Sequence, residues 1–200
     1  MVDNRKKIMN CIYEDSLFEF HIRLLARMTK LHPNTVMKET DELEKEGLVV
    51  KIPNKLQNRT IIKGNTNNIF FLLSKKFHNI EKIYKSGIIE YLNTKMHYPT
   101  VVLFGSYAKA ENHKESDIDL FIISEEKVPD LLRFERKLNT EIQVFVHTKK
   151  SFRKLQETSP ELLNNVMDGY VLTGYVECYE FQRIHSNKKS SDRQKGRSKS

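Results

Sequence analysis

Residues 103–123 read LFGSYAKAENHKESDIDLFII. A short apolar run, Val101 to Phe104, leads into Gly105 and Ser106. A polar stretch follows, and Asp117 and Asp119 then alternate with Ile118 and Leu120 inside a second apolar run. Ten residues separate Ser106 from Asp117. Alternate residues of a strand share a face, which sets the two carboxylates on one side, roughly 7 Å apart along the chain. Bare carboxylates that close repel by about 2 kcal/mol at an effective dielectric of about 20. A divalent cation turns that penalty into attraction, because hard ions such as Mg²⁺ take carboxylate oxygens. Asp117 and Asp119 therefore read as a metal site.

The glycine-serine pair supplies the other half of the chemistry. Gly105 lets the backbone approach a ligand closely and adopt positive φ. A helix beginning near Ser106 would offer free N–H groups to a phosphate. The Ser106 hydroxyl adds one hydrogen bond, and Lys109, about one turn on, can meet a phosphate oxygen. A strand, a phosphate-binding turn and a second strand with Asp-x-Asp suit a metal–nucleoside triphosphate, whose α-phosphate the bound metals would polarise.

With Gly105, Ser106, Asp117 and Asp119 at this spacing, the segment resembles the nucleotidyltransferases of the DNA polymerase β superfamily, in particular their small minimal branch. Ser116 and Leu120 also look like that family, while Ala110 stands where many relatives have glycine. The resemblance spans roughly residues 84–176. It implies transfer of a nucleoside monophosphate from an NTP, with Mg²⁺ or Mn²⁺ on Asp117 and Asp119. Gly105, Ser106, Lys109 and Ser116 would hold the nucleotide. Relatives usually carry a third carboxylate on a neighbouring strand. Here that strand is Glu141 to Val146, and the residue resembling the third acid is Gln143, which cannot supply the charge. Glu141 shares its face and is the alternative; a site with no third carboxylate stays open. Acceptors in the superfamily include RNA ends, antibiotics and protein side chains, and some small members are antitoxins that attach AMP to a partner protein.

The chain has 200 residues, 38% of them apolar and 30% charged. No apolar stretch approaches membrane-spanning length, and the first fifteen residues are too charged for a secretory signal. The two cysteines, Cys11 and Cys178, are far apart and read as buried, reduced thiols in a cytoplasmic protein. The seven histidines show no metal-ligand spacing. Residues 1–66 carry 12 Lys/Arg against 9 Asp/Glu, residues 67–182 carry 15 against 16, and residues 183–200 carry 7 against 1. Most of the basic excess thus sits in a tail with no apolar residue after Ile184, which is expected to be disordered.

Residues 1–66 read as a separate domain. Ile8, Cys11 and Ile12 suggest one amphipathic helix, and Phe20, Ile22, Leu24, Leu25 and Met28 a second. A third starts around His32-Pro33-Asn34, continues through Val36, Thr40, Leu43 and Glu44, and stops at Gly47. The segment TVMKETDELEKEGLVVK resembles the third helix of winged helix-turn-helix domains, and VVKIPNKLQNRTIIK their β-wing with a turn at Asn54 to Asn58. The resemblance implies DNA or RNA contacts from Asn34, Thr35 and Lys38, with Lys51, Lys55, Arg59 and Lys63 on phosphates. Glu39, Asp41, Glu42, Glu44 and Glu46 make the rest of that helix acidic, so a protein-docking role stays open.

Residues 67–182 then form the nucleotidyltransferase-like domain. Asn67 to Thr94 reads as a long helix with Gly87 as a stop or kink. Its Phe70, Phe71, Leu73, Phe77, Ile80, Ile83, Tyr84 and Ile88 recur at helical spacing and are expected in the core. Helices from Lys149 and Pro160 follow the third strand. A closing extended segment brings Tyr170, Leu172 and Tyr175, also expected in the core. The reading is α+β: a winged helix, then a small mixed sheet flanked by helices. It implies an NTP-using enzyme, the alternative being a DNA-binding regulator that senses nucleotide without catalysis. No membrane partner is expected, and a homodimer stays open.

Overall fold

The computed structural model describes residues 3–56 and 58–176. The basic tail and Cys178 lie outside the described residues. Three helices come first: α1 (Asn4–Glu14), α2 (Ile22–Thr29) and α3 (Pro33–Lys45). Pro33 opens α3, and the ring of His32 accepts a hydrogen bond from the Asn34 N–H, satisfying one of the end groups a helix leaves open. The chain then turns through Gly47 into an antiparallel hairpin, β1 (Val49–Asn54) and β2 (Arg59–Gly64), with Val49 opposite Gly64. Ile8, Ile12, Leu25, Val36, Leu43, Val49 and Ile62 make one core between the helices and the hairpin. This order of three helices and a hairpin is compatible with a winged helix-turn-helix. Phe20 precedes α2 instead of belonging to it, bridging to Ile62, and Met28 faces outward.

The expected long helix is two. Asn68 caps α4 (Ile69–Ser86), accepting from the N–H groups of Phe70 and Phe71. Gly87 ends it at φ 85°, a left-handed conformation that costs glycine little, and α5 (Ile88–Lys95) starts at once. Then come β3 (Thr100–Phe104), α6 (Gly105–Lys109), β4 (Ile118–Ile123), α7 (Leu132–Leu138), β5 (Ile142–His147), α8 (Lys149–Thr158), α9 (Pro160–Met167) and β6 (Tyr170–Thr173). The four strands lie in the order β5-β4-β3-β6. Only β4 and β5 run parallel, and α7 is the crossover that a parallel pair needs.

Both faces of this sheet are covered. Val101, Leu103, Ile118, Leu120, Ile122 and Ile142 pack with Ile83, Leu92, Phe134 and Leu138 from α4, α5 and α7. Val102, Phe104, Phe121 and Ile123 pack with Phe152, Leu155, Leu163 and Val166 from α8 and α9. Several residues expected inside are outside. Phe70 and Phe77 on α4 are 68% and 71% exposed, and Tyr84, Tyr170 and Tyr175 are also exposed. Of the closing residues only Leu172 is buried. The buried stripe of α4 is Phe71, Lys75, Asn79, Ile83 and Ser86. Packing has chosen the stripe with polar members, because each of them finds a partner. Cys11 is half-buried, and burial raises its pKa.

Candidate active site

Strand β3 ends at Phe104, and the chain turns into α6 through Gly105 at φ 68°. In register, Phe104 faces Asp119 of β4. The Asp119 carboxylate lies directly against Gly105, so that a Cβ there would overlap its Oδ2. Gly105 is thus needed twice, for its backbone angle and for the space Asp119 fills. Asp117 lies just before β4 and is exposed, while Asp119 is half-buried. Burial, and then the charge of Asp117, raise the pKa of Asp119. Neither carboxylate is paired with a cationic side chain among the described residues. The two acids therefore share a concentrated negative charge at the rim where β3, β4 and α6 meet.

Ser106 is half-buried at the start of α6, and Lys109 is exposed at its end. Ala110 follows at φ 60°, a left-handed position that glycine would occupy with less strain. Ser116 closes the loop. Its Oγ accepts from the His113 N–H at 2.9 Å, and its own N–H donates to the His113 carbonyl at 3.0 Å. On the other side of β4, the residue in register with Asp119 is Gln143. Glu141 lies just before β5 and is exposed, with its carbonyl accepting from the Ile118 N–H. Among the described residues no three His, Cys, Asp or Glu side chains converge in a way that could hold a metal ion.

Residues 86–175 match the family model described as polymerase beta, nucleotidyltransferase. This part of the chain is a polymerase beta nucleotidyltransferase domain. No curated protein matches the chain. Within the nucleotidyltransferase domain, the loop between the glycine-serine turn and the aspartates is held from below. Buried Asn112 accepts on its side-chain oxygen from Asn79 Nδ2 at 2.8 Å, and on its carbonyl from Lys75 Nζ at 2.6 Å. Asn79 also donates to the Tyr107 carbonyl at 2.9 Å, and Lys75 to Ser16 Oγ at 2.7 Å. Burial lowers the Lys75 pKa to about 8, against the opposing pull of Asp15 and Glu14. These residues escaped the sequence reading. The available signal was their phase, since Lys75 and Asn79 fall four and eight residues after Phe71 on one helix stripe.

The residues expected to touch nucleic acid lie on α3 and the hairpin. Asn34 and Lys38 are exposed on the first half of α3, and Thr35 is half-buried. Lys55 and Arg59 are exposed at the hairpin tip. Lys51 and Lys63, by contrast, pair with Asp41 and, at 3.1 Å, with Glu19. Asp41 of α3 thus takes part of the hairpin's charge.

Proposed function

We propose that the chain is a metal-dependent nucleotidyltransferase that moves an NMP from an NTP, ATP among the candidates, to an acceptor hydroxyl on RNA, a protein such as a toxin partner, or a small molecule. The observation that carries this is the Asp117 and Asp119 pair, Asp119 seated against Gly105, with no cationic side chain paired to either among the described residues. Two carboxylates fit Mg²⁺ or Mn²⁺, since Mg²⁺ is commonly held by one or two carboxylates together with substrate phosphates and water. Bound there, the metal would polarise the α-phosphate and lower the pKa of the acceptor hydroxyl. Ser106 and Lys109 would meet the triphosphate. The Ser116 hydroxyl already accepts from His113, so its proton is left to donate to a phosphate oxygen. The acceptor oxygen forms the new bond to the α-phosphorus, the α–β bond breaks, and pyrophosphate leaves. Glu141 is our candidate to take the acceptor proton, because Gln143 cannot.

A second reading is favoured by Gln143 and by the exposed Asn34, Lys38, Lys55 and Arg59. It is a DNA-binding regulator whose nucleotidyltransferase domain senses nucleotide. The test is incubation with each α-labelled NTP and Mg²⁺ or Mn²⁺, using cell RNA and protein as acceptors. Label should transfer with the native chain and fall at least about 100-fold with Asp119→Ala, at unchanged fold. Saturable NTP binding without transfer, coupled to selective DNA binding, would decide for the regulator.

A further inference from the structure

The outward side of α4 has a pattern of its own. Exposed Phe70, Leu73, Phe77 and Tyr84, with Ile80 half-buried against the sheet core, are spaced 3, 4, 3 and 4 apart, which is the a/d spacing of a coiled-coil seam. Phe70 and Phe77 are 68% and 71% exposed, Leu73 40%, Tyr84 47% and the adjoining Ile69 60%. Single exposed apolar residues are ordinary, but a contiguous stripe with three aromatics marks an interaction surface. The helix is already held by its opposite stripe, so presenting this face requires no further ordering. At about 200 Å² for a whole aromatic side chain, the seam offers roughly 500 Å² per protomer. A symmetric contact would then bury roughly 1,000 Å² before its rim is counted, about the area at which specific interfaces begin.

Charge selects the occupant and its direction. Lys76 and Glu81 flank the seam on opposite sides, five residues apart. When two helices pair in parallel, that spacing sets the Lys76 of each protomer against the Glu81 of the other, twice by symmetry. Antiparallel pairing would instead face each flank with its own kind. We propose that this seam docks a second copy of the chain, the two α4 helices lying parallel along residues 70–84.

Sedimentation equilibrium of the full chain tests this. Native protein should be a dimer at micromolar concentration. Phe70→Glu with Phe77→Glu should weaken it about 100-fold or more, at an unchanged far-ultraviolet spectrum. Lys76→Glu and Glu81→Lys should each weaken the dimer, and their combination should restore it. Glu81 also pairs with Lys85 of its own chain at 2.6 Å, so the comparison is made on dimer affinity and not on melting. A native chain that stays monomeric, whether its seam is then covered by another protein or by its own terminus, overturns the proposal. So does a dimer that survives both glutamates, or a charge exchange that restores nothing.

Discussion

Gly105 and Asp119 constrain each other more tightly than any other pair at the candidate site. The turn needs φ 68° at Gly105, and the carboxylate of Asp119 occupies the place of its missing side chain. Gly105→Ala therefore meets two penalties, left-handed backbone strain and a displaced carboxylate. It should cost about 2–3 kcal/mol in urea unfolding and lower transfer even when the protein is folded. Asp119 itself is held at a cost, because burial and Asp117 both disfavour its charged form. Asp119→Asn keeps the shape and removes the charge. In metal-free buffer it should melt higher than the native chain while losing transfer, a trade of stability against function. A lower melting temperature would mean that the carboxylate has a stabilising partner and is not poised for a cation. These positions stood out in the sequence because their chemistry is local, two carboxylates two residues apart, although Asp117 falls just before β4 and alternation within a strand does not reach it. What alternation could not show is the neighbour across the sheet. The register alone sets Gln143, and not Glu141, beside Asp119.

Helix α4 is the element on which sequence and structure part most clearly. It carries two apolar stripes, and helical spacing cannot say which one the protein buries. The fuller stripe, with Phe70 and Phe77, faces outward. The one that turns inward carries Lys75 and Asn79, whose hydrogen bonds with Ser16, Tyr107 and Asn112 compensate their burial. Those partners come from distant parts of the chain, so no local window could reveal them. Helix α7 was missed for a related reason, being short and highly charged, although the parallel pairing of β4 and β5 demands a crossover. Lys75 gives this element a titration signature. Its folded pKa is about 8, against an ordinary 10.5. Between those values the unfolded chain binds more protons, so the Lys75 contribution makes stability rise with pH. Relative to Lys75→Met, the native chain should gain stability from pH 8 to 10.5, by at most about 3 kcal/mol. Parallel curves for the two proteins would show that burial leaves the Lys75 pKa at its ordinary value, with the group protonated alike in the folded and unfolded chains.

At the scale of the whole molecule, α4 also decides how the parts unfold. Phe71 belongs to the core of the first three helices and the hairpin, while Ile83 belongs to the core of the sheet. One helix thus enters both cores, and the network through Lys75 ties Ser16 to the loop between α6 and β4. The described residues should therefore unfold in one transition by fluorescence and circular dichroism alike. A further tie between α1 and α4 sits at the surface, where Glu14 meets His78 at 3.3 Å and Lys82 at 2.7 Å. Burial raises the Glu14 pKa, but hydrogen bonds from His78 and Lys82 and their charges outweigh it and hold the group at about 2, below its ordinary 4.5. A depressed carboxylate stabilises the fold above its unfolded pKa and loses that contribution as pH falls through the folded one. The window here is pH 4.5 down to 2. The side chain is about half exposed, at 48%, so solvent screening brings the expected contribution to about 1 kcal/mol. Urea unfolding of Glu14→Gln should thus start below the native chain at neutral pH, and the two curves should converge as pH approaches 2. If the tie matters to the joint unfolding of the two cores, the variant will separate its transitions already at neutral pH, and the native chain only as pH approaches 2. A constant gap across the whole range would show that the glutamate acts by packing alone and that its charge links nothing.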